Sequence, residues 1–177
     1  MKIAILGYSG SGKSTTTKYL GELFHIPYLY MDTVYWAENW QERDRDEALA
    51  KVSEFMQQKD WIMDGNYSSL LQKERLELAD CIIFMDFSRW SCLWRVLKRY
   101  LQNRNKSRES IAEGCIEKID LEFIWWVLYA GRTPAKRKKY KEIAECYQDK
   151  VIIIKNQRQL DKFLKNAPMY LKEKAKV

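Results

Sequence analysis

The segment Gly7-Tyr8-Ser9-Gly10-Ser11-Gly12-Lys13-Ser14 carries the clearest chemistry in the chain. It fits G-x-x-x-x-G-K-[ST] at every fixed position. Such a loop turns successive backbone N–H groups toward one point, where an anion can sit. Glycines are needed because a Cβ would hold the backbone off the anion and forbid the required dihedrals. On this reading residues 7–15, through Thr15, cradle the phosphates of ATP. Lys13 lies along the β- and γ-phosphates, and the Ser14 hydroxyl ligates Mg²⁺. A dinucleotide-type G-x-G-x-x-G reading from Gly10 fits less well, because Thr15 stands where the last Gly or Ala belongs.

Three carboxylates could join this loop. Asp32 follows Tyr28-Leu29-Tyr30-Met31 and could orient an acceptor hydroxyl or take its proton. Asp64 follows Trp61-Ile62-Met63 and precedes Gly65; it could hold a Mg²⁺-bound water, or simply serve a turn. Asp86 ends another apolar run, but with Ser88 it precedes a helical pattern, so capping is the expected job.

These residues need elements to hold them. Apolar runs of strand length fall at 3–6, 28–31, 61–63, 81–85 and 151–154. They are apolar throughout, as in a parallel sheet covered on both faces. Helical patterns alternate with them, at 13–24 and 44–58, which predicts right-handed βαβ units and an α/β fold. Between the fourth and fifth runs lie two apolar stripes, Trp90, Leu93, Trp94, Leu97, Tyr100, Leu101 and Ile116, Ile119, Phe123, Trp126, Val127. Thr133-Pro134 starts a further helix, with Thr133 as its cap. Residues 158–165 predict a last helix, and the polar residues 166–177 are expected to fray.

The 177 residues set the expectation of one domain, 1–177. No apolar run approaches the ~20 residues of a membrane helix, and the N-terminal run is too short for a secretory signal. A cytoplasmic protein with no membrane association, monomeric or homodimeric, is the expectation. Cys81, Cys92, Cys115 and Cys146 form no CxxC pair and His25 stands alone, so free thiols are expected rather than a zinc site.

Charge is uneven. Residues 1–88 carry 9 Lys+Arg against 14 Asp+Glu, and residues 89–177 carry 22 against 10. Two stretches, 95–108 and 132–141, hold many cations and no acid. Arginines there, Arg95, Arg99, Arg104, Arg108 and Arg132, could close on a transferring phosphoryl group from a lid. The same cations would suit a nucleic-acid backbone. No helix-turn-helix, zinc-finger or RNA-binding signature accompanies them, and no N-K-x-D guanine motif is present.

The terminal P-loop, five strands and late basic segment resemble the adenylate-kinase-like small kinases over nearly the whole chain. The phrases Met31-Asp32-Thr33-Val34-Tyr35-Trp36, Trp61-Ile62-Met63-Asp64-Gly65-Asn66-Tyr67 and Glu113-Gly114-Cys115-Ile116-Glu117-Lys118-Ile119-Asp120 resemble a bacterial subgroup called DNA-topology-modulation (FlaR-type) or adenylate-kinase-related proteins. The resemblance implies a P-loop NTPase fold with a five-stranded parallel sheet of order 2-3-1-4-5 and flanking helices. It implies an acceptor-binding segment near 32–58 and a helical lid near 95–132. It implies transfer of the γ-phosphoryl of Mg·ATP to a small acceptor, with Lys13, Asp32, Arg99, Arg104, Arg108 and Arg132 catalytic. Asp32, Trp36, Gly65, Asn66 and Tyr67 then face the acceptor, and Ser14 and Asp64 the metal. The alternatives are a P-loop ATPase or regulator that binds nucleic acid and affects DNA topology.

Two departures bear on the acceptor. Adenylate kinases place an Arg after the second-strand Asp and another after the DG; Thr33-Val34-Tyr35-Trp36 and Asn66-Tyr67-Ser68-Ser69 hold none. A dianionic phosphate favours a bidentate Arg fork. Arg43 and Arg45 could substitute, but they sit among acids. An uncharged acceptor offering a hydroxyl fits the gap.

Overall fold

A computed structural model describes residues 1–103, 108–115 and 119–174. Five strands, β1 (Lys2–Gly7), β2 (Tyr28–Tyr30), β3 (Trp61–Asp64), β4 (Cys81–Met85) and β5 (Val151–Ile154), form one sheet of order β2-β3-β1-β4-β5. Every pairing is parallel. The predicted order is therefore the observed one. The apolar runs fit the parallel pairing: Ile3–Leu6, Trp61–Met63 and Cys81–Met85 are buried on both faces of the sheet. In register, Gly7 lies beside Met85, and Asp64 lies beside Ile5 and Tyr30. The phosphate loop and Asp64 thus leave the same carboxyl edge of the sheet, where doubly wound folds bind ligands.

Helix α1 (Lys13–Phe24) opens directly from the loop, with Gly12 in the left-handed region at its N-cap. Asp44 caps α3 (Arg45–Met56) by accepting from the Asp46 and Glu47 backbone N–H groups. Two short helices fall where no periodicity signals them, α2 (Met31–Tyr35) and α4 (Gln72–Leu78). Asp32 therefore does not end the second strand; it sits in the first turn of α2.

The β4–β5 connection holds α5 (Arg89–Asn103), α6 (Leu121–Leu128) and α7 (Pro134–Cys146). Ser88 Oγ accepts from Ser91 N and caps α5; Asp86 does not. The apolar stripe of α5 is only partly buried, with Leu93 packed against the core. Cys92 and Val96 face the core, while Trp90, Trp94 and Leu101 stay exposed. The close approach of α5 to Gly10 explains the choice, since only small residues fit there: a Cβ on Gly10 would lie 2.6 Å from Cys92 O. Helix α6 starts at Leu121 because Asp120 caps it, its side chain accepting from Phe123 N at 2.7 Å. Of the second stripe, Ile119 therefore precedes the helix, and Ile116 lies outside the described residues. Thr133 and Pro134 start α7 as predicted.

Helix α8 (Gln157–Lys174) is longer than its sequence signal. Leu160, Phe163, Ala167 and Leu171 are buried along one face, and that packing holds 166–174 helical where fraying was expected. The four cysteines are free, three of them buried. Among the described residues no helix is long and apolar enough to cross a membrane.

Candidate active site

The loop between β1 and α1 is shaped as its glycines require. Gly10 and Gly12 have φ of 78° and 98°. A Cβ on Gly7 would meet Met85 O at 2.7 Å, so β4 presses on one side of the loop as α5 presses on the other. Ser11 N donates to Tyr8 O at 3.1 Å and closes the turn. The Lys13 ammonium donates to the same carbonyl at 3.2 Å.

Three outside groups hold the loop. The Asn66 amide brackets Gly7: Gly7 N donates to Oδ1 at 3.1 Å and Nδ2 donates to Gly7 O at 2.6 Å. Asn66, expected to face the acceptor, thus pins the phosphate loop. Arg95 Nη1 donates to Ser11 O at 2.6 Å, Nη2 bonds Gln157 Oε1, and the guanidinium lies 4.0 Å over Phe87. The basic segment flagged Arg95 only as one cation among several. Its position one turn beyond inward-facing Cys92 was the unread signal.

The third group is the α6–α7 corner. Arg132 is buried 3.6 Å over the Tyr8 ring and donates to Val127 O at 3.2 Å and Cys92 Sγ at 3.1 Å. Trp126 Nε1 donates to Ser9 Oγ at 3.3 Å, with Lys136 Nζ 3.7 Å over its ring. Arg132 is therefore packed as a brace for the loop. Arg132→Met should lower stability by about 2–4 kcal/mol and weaken nucleotide binding with it. An arginine acting only on the transition state would lower kcat alone, and urea unfolding beside steady-state kinetics separates the two.

Asp64 is wholly enclosed at the sheet edge. Burial, then the nearby Asp32 carboxylate, push its carboxyl up to about 6, against the opposing pull of Lys13, the Ser14 hydroxyl and the Met31 backbone. Its Oδ2 and the Ser11 Oγ are buried with no hydrogen-bond partner. The Asp64 carboxylate, with one oxygen orphaned and the Ser14 hydroxyl within hydrogen-bond reach, offers hard oxygens that could take a divalent cation. Among the described residues no cluster of three metal-ligating side chains exists, so further ligands would come from substrate oxygens and water.

Across from the loop, Tyr67 donates to Asp32 Oδ1 at 2.6 Å. Burial, then the Asp32 charge, raise the Tyr67 hydroxyl far above its ordinary value, so it remains a donor. Tyr67 stacks on Tyr35 with centroids 4.6 Å apart, and Trp36 meets Tyr35 edge-on at 4.8 Å. Gly65, at φ 116°, makes the turn between Asp64 and this wall and donates to Ile5 O.

Within the expected lid, residues 108–115 pack onto this acceptor segment. Ile111, Ala112 and Cys115 cluster with Trp36 and Trp40. Trp40 N donates to Cys115 Sγ, and Cys115 Sγ–H donates to Ala37 O at 3.2 Å. Glu109 accepts from Lys18 and from Tyr28. Arg108 Nη1 donates to Ser110 Oγ, and Arg99 lies half-buried on α5. Arg104 lies outside the described residues. A cleft of ≈ 610 Å³ opens beside the loop, between Tyr8, Asp86, Trp90, Arg137 and Lys155.

No family model matches the chain, and no curated protein matches it. Among solved structures it is similar to a protein from Chloroflexus aurantiacus J-10-fl that is classed provisionally as a kinase. The likeness spans 97% of both chains, with a TM-score of 0.55 and 13% identity. At that identity the likeness concerns the fold alone: an α/β layout around a five-stranded parallel sheet.

Proposed function

We propose that this chain is a phosphotransferase that moves the γ-phosphoryl of Mg·ATP to a small acceptor. One observation carries the reading. The glycine loop is already bent into an amide cup, with Lys13 resting at its rim and the unpartnered Asp64 oxygen beside Ser14 beneath it. Lys13 would bind the β- and γ-phosphates, Ser14 would ligate Mg²⁺, and Asp64 would hold a metal-bound water. Magnesium would supply charge neutralisation for the transferring group. Asp32, fixed by Tyr67, would orient the acceptor hydroxyl. Arg95 already spans the loop and Gln157, and so stands ready to cover bound nucleotide. The resemblance to adenylate-kinase-related proteins supports the same reading.

The nucleic-acid alternative draws less support. In the run 132–141, Arg132 packs under Tyr8 and Arg137 Nε donates to Arg132 O. Lys136 donates to Ala130 O, and Lys138 and Lys141 pair with Glu142 and Glu145. These cations serve the helix and its corner more than an open stripe.

Calorimetry should record uptake of ATP that strengthens with Mg²⁺. Asp32→Asn should then lower turnover by roughly 10²-fold or more while the KM for ATP shifts less than about threefold. Equal small changes in both would reduce Asp32 to a helix-turn residue.

A further inference from the structure

The acceptor side of the site has carboxylates and rings, and two of its arginines, Arg43 and Arg75, are committed to the main chain. Arg43 lies within the acceptor segment. Its Nε donates to Val34 O at 2.9 Å, its Nη2 to Thr33 O at 3.4 Å and Trp36 O at 3.3 Å, and its Nη1 to Glu47 at 2.8 Å. Arg75 is 1% exposed. It donates to Leu70 O at 3.2 Å, Gly65 O at 3.3 Å and Tyr67 O at 3.1 Å. Both guanidiniums are thus spent on main-chain carbonyls, tying α2 to α3 and the 65–70 turn to α4. Freeing either would leave three main-chain carbonyls without this donor, at a cost for those that are out of water.

What remains toward the acceptor is Asp32, with Asp64 close enough for the two charges to be felt. Tyr35, Trp36 and Tyr67 supply an apolar flank. A phosphate monoester brought here would meet like charge at short range, and the Arg43 and Arg75 guanidiniums, held by main-chain carbonyls, are not turned to offset it. An uncharged alcohol would meet an acceptor for its O–H and a flat surface for its body.

Resting on the phosphotransfer reading, we infer that the acceptor is an uncharged alcohol bearing a planar or apolar ring, and not a phosphate monoester. In the step this implies, the alcohol oxygen forms a bond to the γ-phosphorus. The bond from that phosphorus to the β–γ bridging oxygen breaks, and its electron pair leaves with the nucleoside diphosphate. The alcohol proton passes to the Asp32 carboxylate. Tyr67 holds that carboxylate in place through its short hydrogen bond and acts as a positioning residue.

The test is a thermal-shift series on the full chain with Mg²⁺ and a non-hydrolysable ATP analogue bound. The added probes are matched pairs: four nucleosides with their 5′-monophosphates, and pyridoxine with its phosphate. At a hundred times its Kd an alcohol should raise Tm by roughly 5–10 °C, and its monophosphate partner should add nothing. Asp32→Asn should lose the alcohol shift and keep the shift from the ATP analogue. A monophosphate that stabilises more than its alcohol overturns the inference, and so does silence from every alcohol. Failure of the ATP analogue itself to shift Tm would instead bring down the phosphotransfer reading beneath it.

Discussion

Lys13→Ala should leave the protein folded and reduce ATP turnover by about 10³-fold or more. In the resting loop the ammonium makes one hydrogen bond, to Tyr8 O at 3.2 Å, and that carbonyl keeps a second donor in Ser11 N. Losing a partly exposed bond of this kind costs about 1 kcal/mol. The glycine conformations do not depend on it; Met85 O and Cys92 O enforce them. The catalytic cost is different in kind. A single preorganised donor aimed at developing charge is worth ~10²–10³ in rate, and a full ammonium between two phosphates adds ground-state binding. Urea unfolding and steady-state turnover, measured on one preparation, check both halves. Turnover within tenfold of the parent would remove Lys13 from the chemistry. Duplex-DNA binding that survives the substitution, with a salt slope that flattens only on joint alanine replacement of Arg137, Lys138 and Lys139, would favour the nucleic-acid alternative.

The parts of the site that were legible in the sequence are those written locally. Residues 7–14 announce a phosphate cup because its geometry needs glycine at fixed places, and the observed positive φ at Gly10 and Gly12 meets that need. The parallel sheet could be read because strands buried on both faces are apolar throughout, whereas its order came only with the resemblance. What could not be read depends on partners far along the chain. Asn66 reads as an acceptor-facing residue until Gly7, 59 positions away, closes on its amide. Arg132 looks like a lid cation until Tyr8, a variable position of the motif, supplies a ring for it. The α5 stripe misled for a related reason. Periodicity finds an apolar face, but the loop glycine fixes which face can approach the core, and here Cys92 and Val96 fit where tryptophan does not. Helix α4 gave no signal because its short sequence is charged and its anchor is Arg75, a residue rarely buried without backbone carbonyls to receive it.

Asp64→Asn should make the unliganded protein more stable at neutral pH while abolishing metal-dependent nucleotide binding. The folded carboxyl titrates at about 6 against an ordinary value of 3.8, chiefly because it is buried. The native state therefore binds this proton more tightly than the unfolded chain does. The associated stability is present at low pH, fades as pH rises from about 4 to 6, and above that range its loss amounts to about 3 kcal/mol. An amide does not ionise, so the variant should be roughly 1–3 kcal/mol more stable than the parent at pH 8, part of the gain being spent on its new N–H donors. Urea unfolding at pH 4.5, 6 and 8 should show the gap opening with pH. A constant gap, or a parent whose stability rises through this range beside an unchanged variant, would contradict the burial argument. Binding moves the other way. A magnesium ion favours the ionised carboxylate, so the parent's magnesium-assisted uptake of ATP should strengthen between pH 5 and 7.5, and the variant should lose that dependence altogether. A buried charge kept at a cost to stability is what a site that must meet a cation requires, and the protein would be the more robust without it.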